Sequence, residues 1–539
     1  MFITHSPLHC NQFHTATLFQ NAEKLQRTKD FRITKGNMFL FSSVEVTLSL
    51  VTFIIVLLLM MTIFRKGKCI PGPWGVPILG NILQMKDLPH VFFHKMSKKY
   101  GDVFLIKLGM VPVVVVSGLE TIKMVLLKEG EIFADRPKLY SFTLITDGTS
   151  LTFSGKFGDA WKQHKKIART SLREFSRSTR SLSAYSSRFE EFVTAEAQAL
   201  VETLLVNSEK GYFDPAQNVT YAITNVVSAI CYGKRYDHDD KEFLEIIRLV
   251  DEAQEASGAA APADFIPILR FFPLPGLKAL LKAVDCFNNF TKKRVKEHYE
   301  SYDKNHMRDI TDALIYCCNE RKLEDKLPAL SDAQILSTVN DIFGAGFDTV
   351  SSALRWSLLY VLKFPGIQEK IHKEIDSKIG PGRIPRFEDR RELHFTEAFI
   401  HEVLRHSSFA PLTLPHCTTR DTFLNGYFIP KNTCIFVLLY QVHHDPALWV
   451  EPSCFKPERF LDKEGKFDKQ LAQNVIPFGL GVRKCLGEEV ARNELFLMLT
   501  LILQRLRLEK NPADELSLTP VNGMNLKPQK YVMKALTRN

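Results

Sequence analysis

The stretch "PFGLGVRKCLG", Pro477 to Gly487, decides how this chain is read. It sets Cys485 beside Arg483 and Lys484, among Gly479, Gly481 and Gly487, and runs into "LGEEVARNELFLMLTLILQRL", whose apolar positions recur with helical spacing. The sulfur therefore lies at or beside a helix amino end, where amide donors and the helix dipole favour a thiolate. Such an anion serves as a nucleophile, a redox sensor or a metal ligand, and a small buried cysteine in a glycine-rich turn is the plainer alternative. The glycines remove side chains where the backbone must turn tightly or approach a flat object. Arg483 offers a planar fork suited to a carboxylate.

Working outward, the 539 residues carry ordinary apolar and charged fractions, 45% and 24%, so a folded globular protein is expected. The formal charge of +10 comes without a basic patch interleaved with aromatics or a DNA-binding motif, which argues against a nucleic-acid partner. A basic surface facing an anionic membrane or an acidic protein fits better. Ten cysteines are scattered without a CxxC pair, which speaks against a disulfide framework or a zinc site.

Near the amino end, "VTLSLVTFIIVLLLMMTIF" (46–64) runs for about 19 residues without a charge other than those on its flanks, close to the ~20 that span a bilayer. Arg65, Lys66 and Lys68 follow, holding that side in the cytoplasm, and no small-residue cleavage site intervenes. The segments expected are an extension over 1–37 that is an alternative start, an anchor over 38–68, a proline-rich strap over 69–80 and one large domain over 81–539. "IPILRFFPLPGL", Ile266 to Leu277, is too short and proline-broken to span; it is either a buried loop or one that dips into the membrane. Long helical patterns dominate the domain, as at Phe192 to Leu205, Leu277 to Tyr302 and Ser331 to Leu362, and "GDVFLIKLG", "VPVVVVSG" and "CIFVLLYQVH" read as short strands. The fold class is mainly α with small β-sheets.

Within the third helix lies "AGFDT", Ala345 to Thr349, with Asp341 one turn earlier on the same face. A glycine inside a helix costs ~1 kcal/mol relative to alanine, so Gly344 and Gly346 suggest close packing against a ligand. A helix crossing with Thr349 bonded back to the preceding turn is the alternative. Elsewhere "EVLR" puts Glu402 and Arg405 on one helix face in an apolar run, and "PERF" follows at Pro457 to Phe460.

The spacing F-x-x-G-x-R-x-C-x-G, from Phe478 to Gly487, resembles the haem-binding loop of the cytochrome P450 family. The resemblance extends from residue 70 to the end. "GDVFLIKLG", "LITDGTSLTF", "PADFIPILR", "RDITDALI", "FGAGFDT" and "RHSSFAPLTLPHCTTRD" narrow it to the animal first family, with its D subfamily as the nearest branch. The resemblance implies a haem-thiolate monooxygenase of aromatic xenobiotics and steroids, with haem b held by Cys485 as the metal ligand. The endoplasmic reticulum (microsome) membrane would carry it through a single pass, catalytic domain in the cytoplasm. Electrons would come from NADPH through a membrane-bound reductase, with cytochrome b5 as a second donor. Lys162, Lys166 and Lys484 would receive the acidic surfaces of these partners.

The resemblance also assigns residues. Phe478, Gly481 and Ala345 would contact haem; Trp161, Arg483 and His416 would meet its propionates. The usual W-x-x-x-R motif reads "WKQHK" here, placing Lys165, a point charge without a bidentate fork, where an arginine is expected, so weaker haem retention follows. Thr349 would organise hydrogen bonding at the oxygen side, with Asp348 supplying protons. Glu402, Arg405 and Arg459 would form a buried structural cluster bracing the cysteine loop. Phe142, Asp341, Gly344 and Phe347 would line the substrate pocket, together with Ala410, Leu414 and Met524. Ala253 stands where relatives carry phenylalanine, which implies a roomier pocket roof. Two other classes stay open: a reductase-independent haem-thiolate isomerase or dehydratase, and a non-catalytic haem-binding protein. Asn218 and Asn289 head glycosylation sequons that a cytoplasmic domain never exposes to glycosylation.

Overall fold

The structure is a computed structural model that describes residues 47–53, 56, 68–85, 88–176, 184–257, 262–323 and 330–538. Two compact units divide the chain, Met1–Lys66 and Gly67–Asn539. In the first, residues 47–53 are helical and exposed. Most of the expected span over 46–64, and all of the expected extension over 1–37, lie outside the described residues. Among the described residues no helix is long and apolar enough to cross a membrane.

The second unit is mainly helical with small sheets, as the sequence patterns lead one to expect. Eight helices shape the site: α1 (Asp159–Ser176), α2 (Ala216–Tyr232), α3 (Lys241–Ser257), α4 (Pro275–Glu300), α5 (Ile310–Leu323), α6 (Asp332–Lys363), α7 (His394–Ser407) and α8 (Glu488–Arg505). The 32 residues of α6 span ~48 Å. Its start is fixed by a capping box: the Gln334 amide donates to Ser331 Oγ and the Ser331 amide donates back to Gln334 Oε1. Its end is fixed by Pro365, which disfavours helical backbone at Phe364. From Val350 to Leu362 every residue is buried, so this half of α6 forms the centre of the main apolar core with the buried faces of α2, α7 and α8.

The main sheet has the order β1-β2-β6-β3, from Val103–Leu108, Val111–Val116, Cys434–Val437 and His416–Cys417. Its β-branched strand β2 pairs antiparallel with β1 and parallel with β6. The run "CIFVLLYQVH" is strand only as far as Val437; Leu439–His443 turns helical, and its buried Val442 and His443 pack inward rather than along a sheet. The smaller pairs are β4 (Thr422–Leu424) with β5 (Tyr427–Ile429), β7 (Leu506–Lys510) with β10 (Met533–Thr537), and β8 (Pro520–Val521) with β9 (Lys527–Pro528), the last a hairpin that matters below.

Three loops build one apolar face. The Gly109 amide donates to the Leu79 carbonyl, and a Cβ on Gly109 would lie 2.3 Å from the Phe265 carbonyl oxygen. The turn carrying Met110 is thus pressed between the Trp74 to Leu79 strap and the segment after Phe265. Trp74, Ile78, Met110, Ile268 and Phe272 are exposed there, and Phe271 is 85% exposed. Of the two readings of "IPILRFFPLPGL", the buried loop is therefore excluded.

Candidate functional site

The cysteine loop is shaped by backbone. The Cys485 amide donates to the Phe478 carbonyl at 2.9 Å, and Gly479 and Gly481 have φ of 66° and 69°, in the left-handed region that favours glycine. A Cβ on Gly481 would sit 1.7 Å from the Leu126 carbonyl oxygen, so the close approach that demands glycine here is to protein backbone. Gly487 lies immediately before α8, and its amide hydrogen-bonds the thiol. Arg492 covers the Phe478 ring at 4.7 Å.

Cys485 is exposed by surface area, yet burial pushes its thiol up. The sulfur is thus crowded by protein while part of the residue stays open. The Gly487 amide, Lys165 and Lys484 pull the other way without prevailing. The loop alone therefore does not favour the thiolate as the sequence suggests; a bound cation is needed to deprotonate the sulfur outright.

Three cations gather beside this loop. Lys165 on α1 donates to the carbonyls of Val482 at 2.5 Å and Lys484 at 3.1 Å, and lies over the Trp161 ring. Arg483 donates to the carbonyls of Ala134, Leu151 and Ser154 at 2.8, 3.0 and 3.2 Å and stacks on Trp161 at 4.1 Å. Arg136, buried, donates to Thr152, Leu414 and Pro415 carbonyls. Burial, then mutual repulsion, lowers Lys165 to about 8 and depresses Arg136; burial lowers Arg483 to about 10. His416 donates through Nδ1 to the Phe133 carbonyl and is held near 3 by burial and Arg136. The Trp161 indole N–H donates to Leu151. Among the described residues no carboxylate makes an ion pair with Lys165, Arg483 or Arg136. Asp135 and Asp341 act on Arg483 only through space, without touching it. Three enclosed cations with no carboxylate in contact, beside a desolvated thiol, are what a haem bearing two carboxylates would complete.

Along α6, Ala345 is exposed and Asp341 and Thr349 are half-buried, whereas Phe343, Phe347 and Asp348 are buried. The open stripe is thus Asp341, Ala345, Thr349. Thr349 donates to the Ala345 carbonyl at 2.8 Å. Gly344 and Gly346 do not face a ligand as expected: added Cβ atoms would meet the Phe287 ring at 3.2 Å and Val227 Cγ1 at 2.9 Å. These glycines allow α4 and α2 to cross α6 closely.

Asp341 accepts from Ser150 Oγ at 2.9 Å and from the Thr152 amide at 3.0 Å, and burial raises it to about 6. Residues 150–154 thus bind Asp341 on one side and Arg483 on the other, bringing the α6 stripe and the cysteine loop together. Between pH 4 and 6 the folded protein holds a proton on Asp341 that the unfolded chain releases, so stability falls as pH rises through that window. We expect Asp341→Asn to flatten this slope; parallel pH–stability curves for the two proteins by denaturant titration would contradict it.

Asp348 turns from the stripe toward the β8–β9 hairpin. Asn525 Nδ2 donates to it at 2.7 Å and Lys527 Nζ lies 3.5 Å away. Lys527 also pairs with Asp251 on α3. Of the expected pocket wall, Phe142 packs edge-on to Phe153 at 5.0 Å, Phe347 against Phe343, and Ala410 on the main core. Met524 is 40% exposed in the hairpin. Ala253 is buried with Leu249, Ala283 and Cys286 in the seam of α3 and α4, where a larger ring has first to open the helices rather than simply extend into a roof. On the basic face Lys162 pairs with Glu131 and Lys484 with Glu488, both at 2.6 Å, while Lys166 is exposed.

The three expected bracing residues do meet. Arg405 makes a bidentate pair with Glu402 at 2.7 and 2.8 Å, and Arg459 Nε reaches the same carboxylate at 3.0 Å. Glu402 and Arg405 are fully buried.

A family model described as Cytochrome P450 matches residues 70–535. The chain belongs to the cytochrome P450 family. It is 46% identical to cytochrome P450 1A1 of Oncorhynchus mykiss over 501 residues, 92% of this chain and 96% of the relative. It is also 46% identical to cytochrome P450 1A1 of Rattus norvegicus over 90% of this chain and 94% of the relative, and to cytochrome P450 1A5 of Gallus gallus over the same shares. The resemblance to the animal first family is thereby supported, and the chain is a cytochrome P450 monooxygenase. Haem with a cysteine thiolate ligand is the cofactor of this family.

Sequence reading missed Arg136, Ser150, His443 and Lys527. Ser150 and His443 lie in the quoted runs "LITDGTSLTF" and "CIFVLLYQVH", but nothing in those runs marks the two side chains; all four meet their partners only through the fold, Arg136 and Leu414 being 278 positions apart.

Proposed function

We propose that this chain is a microsomal, NADPH-dependent monooxygenase of lipophilic compounds, flat aromatics and steroids among them, in which Cys485 would be the thiolate ligand of haem b. The observation that carries the reading is the enclosed set of Lys165, Arg483 and Arg136, none of them in contact with a carboxylate among the described residues, beside the Cys485 thiol. Bound haem with a thiolate ligand supplies activation of dioxygen, the thiolate favouring O–O cleavage. The protein's part is to hold and orient. Arg136, Arg483 and Lys165 would hold the propionates, with His416 and Trp161 beside them, and Phe478 and Gly481 shape the loop that presents the sulfur.

On the opposite side, Ala345 keeps the α6 stripe low enough for a flat group to approach. Thr349, its hydroxyl proton resting on the Ala345 carbonyl, turns oxygen lone pairs outward to accept a hydrogen bond. Asp348, held by Asn525 and Lys527, is the carboxyl one residue away that relays protons. Asp341 closes the pocket by fastening residues 150–152, and Phe142, Leu414 and Ala410 lie on its wall. Placement in the D subfamily is part of the same proposal.

The apolar face around Phe271, Trp74 and Met110 supports contact with the endoplasmic reticulum membrane, with 46–64 as its single-pass anchor and the domain in the cytoplasm. Glycan on Asn218 or Asn289 of the native protein would reverse that orientation. Electron delivery from a reductase, with cytochrome b5 as second donor, would use the face carrying Lys166.

The test is reconstitution in lipid vesicles with the membrane-bound reductase, NADPH and a panel of flat aromatic and steroid compounds. Oxygenated product that requires both NADPH and reductase is expected. Product formed without them would favour the isomerase or dehydratase reading, and no turnover of the haem-loaded protein would favour the non-catalytic one.

A further inference from the structure

The buried Glu402 and Arg405 pair does not touch the cysteine loop directly; His443 stands between them. Arg405 Nη1 donates to the His443 carbonyl at 2.7 Å. The Ile476 amide donates to His443 Nε2 at 3.0 Å, and because an amide nitrogen can only donate, the imidazole proton must reside on Nδ1. Nδ1 then donates to Ser408 Oγ at 3.0 Å, and the Ser408 hydroxyl donates to the Arg405 carbonyl at 2.8 Å. The ring of contacts closes with every proton assigned, and His443, Ser408 and Arg405 are all buried to within 1%. Ser408 adopts φ 41° at the end of α7, a left-handed position that its hydroxyl bond to Arg405 helps hold.

Ile476 is the entry to the loop. Pro477 has no N–H, so the Ile476 amide is the last backbone donor before Phe478, and the Ile476 carbonyl accepts from the Gly479 amide at 3.1 Å to open the turn.

We propose that His443 is a positioning residue: a neutral, single-tautomer joint that transmits the placement of the Glu402 and Arg405 pair to Ile476 and so sets where the Cys485 sulfur is held. This rests on the reading of Cys485 as the haem ligand. His443 acts through Ile476 and touches no reacting atom.

Two amide variants separate the joint's halves. In His443→Gln the amide oxygen can replace Nε2 as the acceptor for Ile476, whereas in His443→Asn the shorter amide reaches only Ser408. His443→Phe removes both. The readouts on full-length haem-loaded protein are the ratio of thiolate to non-thiolate bands in the reduced carbon monoxide spectrum, and deuterium exchange at the Ile476 amide.

Loss of the hydrogen bond from the Ile476 amide, common to His443→Phe and His443→Asn, should shift the band ratio about tenfold toward the non-thiolate form in both, with Ile476 exchange faster by a similar factor. His443→Gln should restore both to within about twofold of wild type. Should His443→Phe fail to fold, the Gln and Asn pair still decides. Equal behaviour of those two variants overturns the proposal, as does faster exchange with an unchanged band ratio. If Cys485→Ser keeps the thiolate band, the ligand assignment fails instead, and the exchange data still report on the joint.

Discussion

Replacing Glu402 by glutamine should cost about 3–5 kcal/mol of folding stability, more than almost any other single change in the domain outside the cysteine loop. The side chain keeps its volume, so no cavity opens. What disappears is the only negative charge among the described residues that Arg405 and Arg459 share, at a carboxylate that is fully buried. Both guanidiniums would stay bonded to carbonyls, Arg405 to His443 and Pro452, Arg459 to Val450 and Cys454, but as uncompensated charges. Denaturant unfolding of purified Glu402→Gln checks this. A loss below about 1 kcal/mol would reduce the cluster to the weight of a surface pair.

Gly481→Ala is the second large effect. The added methyl carbon would overlap the Leu126 carbonyl oxygen at 1.7 Å, and the residue would remain at φ 69°. Neither neighbour is a side chain that can rotate away. Strain and clash together amount to roughly 3 kcal/mol or more, concentrated in the loop that presents Cys485. The expected result is protein with normal helical content that retains little haem. Gly487→Ala serves as control, because nothing lies within 4 Å of its added carbon and its φ is −92°. Equal haem content in the two variants would show that the approach to Leu126 does not constrain the loop.

The parts of this molecule that were legible in the sequence are those written in consecutive residues. The loop from Phe478 to Gly487, the "EVLR" and "PERF" pair and the long helical pattern of α6 each declare themselves through local spacing, and the structure brings Glu402, Arg405 and Arg459 together as read. The electrostatics were not legible, because a pKa depends on what the fold excludes. Cys485 has the amide and lysine neighbours that the sequence promises, yet burial outweighs them. Gly344 and Gly346 show a similar limit: a helix that leaves out side chains signals close approach, but whether to a ligand or to α2 and α4 is set by packing. Arg136 enters from a loop that carries no pattern and His443 from the end of a run that reads as strand but turns helical, and only the folded chain reveals them.

Central to the account is Cys485 as the thiolate partner of haem, and the most direct measurement is the reduced carbon monoxide difference spectrum of the wild-type protein beside Cys485→Ser. A red-shifted thiolate band in the wild type that is lost in the variant, at comparable haem content, is the predicted result. The same band in both proteins, or its absence from haem-loaded wild type, would contradict it.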